Sequence, residues 1–230
     1  MDPDSGITAP ADQRPHTQAL PVMVSVEYQG SLELARCLSK ARAPLGPVLS
    51  WGKHSTFHYM FEHSPPMLLL DLPRPTSPAH LAGLVRALSL VGKVVVLGPQ
   101  ELSSLAAFDA GAYNVLDRRA PAVELAARMR ADVRRCRFGA RPTLDWRGGH
   151  ALTQRLLFRL MAQAATPLCC HDLCLLLGNP DRPLTLRALK ARVQRLLPAF
   201  EAEGIAVSAE MQWRRAVFEV HRAASNRYLA

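Results

Sequence analysis

The chain alternates short apolar runs with amphipathic stretches. Residues 22–26 are apolar and partly β-branched, which predicts a first strand. Within 31–42, Leu32, Leu34, Ala35 and Leu38 fall at helical spacing. Residues 48–51 predict a second strand and 57–62 a short helix. Residues 67–72 form an apolar run interrupted by Asp71, the mark of a strand buried on both faces. Leu81, Leu84, Val85 and Leu88 share one side of a helix over 78–90. A buried strand over 94–97 follows, then a helix over 101–110 stopped by Gly111. A last strand over 113–116 and a helix over 122–137 with a basic end complete the series.

Strand and helix thus alternate five times. This predicts an α/β doubly wound unit with a five-stranded parallel sheet, over residues 21–137. In such sheets reactive groups lie beyond the carboxyl ends of the strands, where Asp71 falls. Residues 1–20 lack apolar periodicity and predict a disordered tail.

The period then changes. Residues 138–143 have linker chemistry. Residues 144–146 and 151–152 flank Arg147-Gly148-Gly149 and predict a small hairpin. Thr153 opens a helix to about Ala164, with Leu156, Leu157, Leu160 and Met161 inward. A second helix is expected over 171–177, broken by Gly178-Asn179-Pro180. A third is expected over 185–203, starting at a Thr185 N-cap. Residues 205–208 and 216–220 predict a terminal hairpin. Three helices and a hairpin predict an α+β winged helix-turn-helix domain over 144–224.

Composition narrows the class. The formal charge of the 230 residues is +9, which favours a polyanionic partner. No apolar run approaches the roughly 20 residues of a membrane span, and no secretory signal is visible, so a cytoplasmic protein without membrane contact is expected. Cys37, Cys136, Cys169, Cys170 and Cys174 are odd in number and fit a reducing compartment. Cys169, Cys170, His171 and Cys174 have no second cluster at zinc spacing, so buried thiols are expected and no metal. His54, His58 and His63 lack clear carboxylate partners. There is no Ser/His/Asp arrangement, P-loop or Gly-rich dinucleotide turn, so no enzymatic activity is expected. Trp51 and Trp146 read as packing residues.

From Arg182 to Leu197 there are five cations (Arg182, Arg187, Lys190, Arg192, Arg195) and no acid. Leu186, Leu189, Val193, Leu196 and Leu197 recur at helical intervals between them. One face is therefore apolar and the other cationic, which suits a helix entering the DNA major groove. Arg187, Lys190 and Arg192 lie early enough to approach bases, and Arg195 suits a phosphate. Arg214 and Arg215, beside Trp213, sit at the expected hairpin tip and suit the minor groove or flanking phosphates. Thr153 and Gln154, at a helix start, are weaker candidates for phosphate contacts.

These residues together resemble the OmpR/PhoB-type response regulators, over about 22–222. Met67-Leu-Leu-Leu-Asp71-Leu-Pro73 resembles the strand carrying the phospho-acceptor. The Gly111-Ala112 turn resembles the entry to the last receiver strand, and Glu124 to Arg128 the closing helix. Leu152-Thr153 with Leu156-Leu157 resembles the entry to the winged helix domain, and Arg187 to Leu196 its recognition helix. The resemblance implies a CheY/flavodoxin-like receiver followed by the winged helix.

The departures concern the acceptor pocket. Where the family carries an acidic pair for Mg²⁺, Val24-Ser25-Val26-Glu27-Tyr28 offers only Glu27. Gly98 replaces a hydroxyl residue, and Arg118 replaces a Lys. One carboxylate beside Asp71 holds Mg²⁺ weakly, so no cofactor is expected, and Arg118 can pair with Asp71 directly. The leading expectation is an atypical regulator: a DNA-binding transcription factor largely independent of Asp71 phosphorylation. Its partners would be double-stranded DNA, RNA polymerase, a small-molecule or protein effector, and a second copy held through the receiver. Leu105, Phe108, Val123 and Met129 are the candidate dimer contacts. The alternatives are a phosphorylation-dependent two-component regulator using Asp71, and a protein-interaction adaptor with a vestigial winged helix.

Overall fold

The computed structural model describes residues 20–63, 65, 67–136, 151–212 and 215–222. The N-terminal region runs β1 (Val22–Ser25), α1 (Tyr28–Lys40), β2 (Val48–Ser50), α2 (His54–His63), β3 (Met67–Asp71), α3 (Pro78–Ser89), β4 (Lys93–Gly98), α4 (Ser104–Asp109), β5 (Asn114–Asp117) and α5 (Ala122–Cys136). The five strands are parallel in the order β2-β1-β3-β4-β5. This is the doubly wound, CheY-like order, with the chain reversing direction between β1 and β3.

Alternation along the strands divides the core. Met23, Met67, Leu69, Val95 and Leu97 point to one face and pack with Leu38 of α1 and Leu125 and Met129 of α5. Val22, Val24, Leu68, Leu70, Val94 and Val96 point to the other and pack with α2, α3 and α4. Both faces are covered, which is why these strands read as unbroken apolar runs.

The C-terminal region is α+β. It comprises α6 (Leu152–Ala162), β6 (Leu168–Cys169), α7 (Cys170–Leu177), α8 (Leu186–Ala202), β7 (Ile205–Gln212) and β8 (Arg215–Arg222). Its antiparallel sheet has the order β6-β8-β7. Leu168 pairs with Phe218 and Cys169 with Val217. The two-residue β6 was not foreseen; so short a strand shows no alternation. Ala151 and Leu152 were expected in a hairpin, but Ala151 is the N-cap of α6 and Leu152 its first residue. Residues 144–149, with Trp146, lie outside the described residues, as do the linker 138–143 and residues 1–19 of the tail. The expected N-cap of α8 is present: the Thr185 hydroxyl accepts from the Ala188 N–H at 3.2 Å.

The two regions share a core. The apolar cluster on the α2–α3 face of the large sheet continues through Leu156, Phe158, Leu173, Leu175, Leu189 and Phe200. Polar contacts stitch the same seam. Trp51 Nε1 donates to the Leu175 carbonyl at 3.1 Å. Arg159, buried on α6, donates to the carbonyls of Met60 (2.6 Å) and Phe61, at the C-terminal end of α2. Its guanidinium also lies 4.7 Å from the Phe61 ring centroid. Gly52 has φ +79°, and a Cβ there would stand 2.7 Å from the Gly178 carbonyl, so the close approach requires glycine.

Candidate functional site

The carboxyl ends of β1, β3 and β4 meet at Asp71. Parallel register sets Asp71 beside Ser25 of β1 and Leu97 of β4. Asp71 is fully buried. A buried carboxylate needs a counter-ion and filled lone pairs, and both are supplied. Arg118 Nε donates to Asp71 Oδ1 at 2.7 Å, and Nη2 lies 3.4 Å from Oδ2. The Ser31 hydroxyl donates to Oδ2 at 2.5 Å. Ser25 Oγ lies 2.5 Å from Ser31 Oγ. Because the one Ser31 proton is committed to Asp71, Ser25 is the donor in that pair.

Arg118 follows directly on β5. Its N–H extends the β4–β5 ladder to the Gly98 carbonyl at 2.8 Å, which aims the side chain back across the strand ends. Its Nη2 then donates at 2.7 Å to the Gly30 carbonyl in α1. The Arg118 guanidinium thus ties the end of β3 to α1, while its backbone N–H holds the end of β4. At Gly98, where a hydroxyl residue was missing, a Cβ would lie 3.0 Å from Leu102 Cδ2. The Leu102 side chain closes that corner of the pocket.

Of the three pocket residues expected, the structure brings Asp71 and Arg118 together and leaves Glu27 out. Glu27 pairs instead with Arg74 at 2.7 Å, on the exposed rim. That is a correction with a plain cause: the positive partner available at the surface is Arg74, while the interior carboxylate is already neutralised by Arg118. Ser31 was missed, since a serine one turn into a helix carries no sequence signal until the strand register is known. Chemically, both Asp71 oxygens are engaged, and the cation beside them is a fixed guanidinium. Among the described residues no group of three or more His, Cys, Asp or Glu is placed to hold a metal.

The second candidate is the outer face of α8. Leu189, Val193, Leu196 and Phe200 are buried and anchor it. Arg187, Lys190 and Arg195 are exposed. Arg192 differs: it is half-buried, and burial, with the nearby charge of Arg195, holds its guanidinium below the usual arginine value. Its Nη1 is buried and has no hydrogen-bond partner among the described residues. Arg192, expected to approach bases, lies on the flank between the buried and exposed faces. Arg215 is exposed at the start of β8, opposite Gln212. Arg214 and Trp213 lie outside the described residues. Gln154 is buried on α6 rather than turned to solvent, so its expected phosphate contact is withdrawn.

Of the four candidate dimer residues, Leu105, Phe108 and Val123 are exposed, at 72%, 49% and 71% of their surface. Met129 is fully buried against the large sheet, so it is no surface contact. No helix among the described residues is long and apolar enough to cross a membrane.

No family model matches the chain, and no curated protein matches it either. Solved structures to which the chain is similar include the following three. The signal receiver domain of the response regulator NarL from Mycobacterium tuberculosis is 19% identical and has a TM-score of 0.38, covering 53% of this chain and 99% of that one. The CheY-like protein tadZ from Pseudomonas aeruginosa is 21% identical with a TM-score of 0.38, over 51% of this chain and 98% of that one. The response regulator DrrB, an OmpR/PhoB homolog from Thermotoga maritima, is 16% identical with a TM-score of 0.36, over 86% of this chain and 98% of that one. It is the strand order and registers of this chain that define its fold.

Proposed function

We propose that the chain is a cytoplasmic, sequence-specific DNA-binding transcriptional regulator whose activity does not depend on phosphorylation of Asp71. In this reading the C-terminal region is a winged helix-turn-helix: α7 and α8 are the helix pair and β7–β8 the wing. The observation that carries it is the outer face of α8, where Arg187, Lys190 and Arg195 stand exposed while the opposite face is fully buried. A rigid helix with one-signed charge on its free side suits the major groove. Arg187, near the helix start, is the candidate for bidentate contact with a guanine, and Lys190 and Arg195 for base and phosphate contacts.

Independence from phosphorylation is supported by the state of Asp71. Attack on a phosphoryl donor needs a free carboxylate oxygen and a metal to offset charge on the transferring group. Here Arg118 and Ser31 occupy the oxygens, and the positive charge already in place opposes a second cation. The regulator would act as a dimer, with Leu105, Phe108 and Val123 on the α4–α5 side as its apolar contacts, and RNA polymerase as a further partner.

The test is selection of genomic fragments by the purified, untreated protein, followed by salt-titrated affinity on the best fragment. The expected result is specific binding to repeated half-sites without any phosphoryl donor. Replacing Arg187 and Lys190 together by Ala should weaken it by about 100-fold or more, from ~1–3 kcal/mol per base-contacting residue. Binding that is weak and equal on all fragments, or unchanged in the double variant, would refute the reading.

A further inference from the structure

A cavity of about 600 Å³ opens where α3 of the large sheet meets α7, the segment leading into α8, and the start of β8. That volume lies within the range of small-molecule sites. None of its lining residues belongs to the Asp71 network. Its walls are of two kinds. Leu184, Leu186 and Ala216, with Cys169, Cys170 and Cys174, supply an apolar lining. Arg86, His171, Asp172 and Arg215 supply the charge and polarity.

The thiols belong to the apolar part. Burial and the neighbouring Cys169 and Cys174 push Cys170 up to about 11, and burial also pushes Cys174 up. Both are neutral thiols near neutral pH, and a neutral thiol packs as a small hydrophobe and is a poor metal ligand. The charged part is unbalanced. Arg86 contacts Asp172 through one bond only, Nε to Oδ1 at 3.3 Å. No ion pair of Arg215 is found among the described residues, whereas Arg86 and His171 both lie against Asp172. Two guanidiniums and one carboxylate therefore line the cavity, and His171 Nδ1 lies 3.6 Å from the same Asp172 oxygen that Arg86 contacts. A guanidinium at an apolar wall with unused donors is suited to a planar anion such as a carboxylate or sulfonate.

We propose that this cavity binds a small amphiphilic anion, its apolar body against the cysteine-lined wall and its acidic group between Arg86 and Arg215. The site draws on both regions of the chain, through Arg86 on α3 and through Leu186, the first residue of α8. A ligand there would set the position of α8 against the large sheet. That consequence rests on the DNA-binding reading; the binding itself does not.

The test uses the full chain and no DNA, so it stands apart from the fate of that reading. Titration with 8-anilinonaphthalene-1-sulfonate should give saturable fluorescence at one probe per chain, displaced by decanoate. Arg86→Ala and Arg215→Ala should each weaken binding by about tenfold, the loss of one charge-assisted contact. In the unaltered protein, decanoate should slow iodoacetamide modification of Cys169, which is partly exposed, and leave exposed Cys37 unchanged as the internal control. This arm needs no variant to fold. Probe binding that does not saturate, affinity unchanged in both arginine variants, or equal protection of Cys169 and Cys37 would each overturn the proposal.

Discussion

Asp71 with Arg118, and the outer face of α8, hold the two most conspicuous charge patterns in the molecule, and they are opposites. At Asp71 a single carboxylate is fully buried, and a guanidinium and a hydroxyl serve its oxygens. On α8, Arg187, Lys190 and Arg195 are exposed, with no acid between residues 182 and 197. A buried pair is held for what it costs to break: its attraction largely offsets the desolvation of both charges, so it adds little stability, yet removing one partner strands the other. Exposed like charges stabilise nothing in the fold and remain free for an outside partner. The carboxylate of the first region is thus part of the interior, while the second region keeps its charges on the surface.

Breaking the buried side should have the largest effect. Arg118→Ala strips the buried Asp71 of its counter-ion, and should destabilise the protein by about 3 kcal/mol or more, read from the urea midpoint. Asp71→Ala combined with Arg118→Ala should recover most of that loss, because no lone charge remains. If the double variant is as unstable as Arg118→Ala alone, the pair is not the unit described here. The same ion pair bears on regulation: phosphoryl donors should leave the unaltered protein unlabelled at Asp71 by mass spectrometry.

The exposed side depends on a well-formed helix start, and the next effect is smaller. Thr185 caps α8 through its hydroxyl, two residues before Arg187. Thr185→Ala should cost about 1 kcal/mol of stability. It should also weaken DNA binding, because the first turn that carries Arg187 frays. Thr185→Ser should retain both. Loss of affinity in the Ser variant equal to that in the Ala variant would mean that Thr185 acts by some means other than capping.

The same contrast governs what the sequence made legible. The central strands β3 and β4 were visible because burial on both faces leaves each an apolar run, and Thr185 because capping is local chemistry. Arg118 could be placed because it follows β5 at once. Glu27 and Ser31 could not be sorted from sequence: whether a side chain at the start of α1 turns in or out depends on the register of β1 against β3 and on where Arg74 falls. The shared core was missed as well, although it left a signal. In α7 every residue except His171 is buried, and a helix that is apolar all round is one enclosed on all sides. Reading Leu173 to Leu177 that way would have predicted a neighbour such as α3 over it.

The smallest effect tests whether burial alone, rather than residue type, decides the role of a cation. Arg192 and Arg195 lie one turn apart on α8 and are chemically identical. Arg195 is exposed, whereas Arg192 is half-buried with an unpartnered Nη1. Arg195→Ala should lower the salt dependence of DNA binding by about one unit of slope and the affinity only a few-fold, with stability unchanged. Arg192→Met should do the reverse. It removes a buried donor that lacks a partner, so stability should hold or rise by up to about 1 kcal/mol, while the salt slope stays as it was. If Arg192→Met lowers the slope as much as Arg195→Ala, then Arg192 reaches the phosphates despite its flank position. The cationic face of α8 would then be wider than its burial pattern indicates.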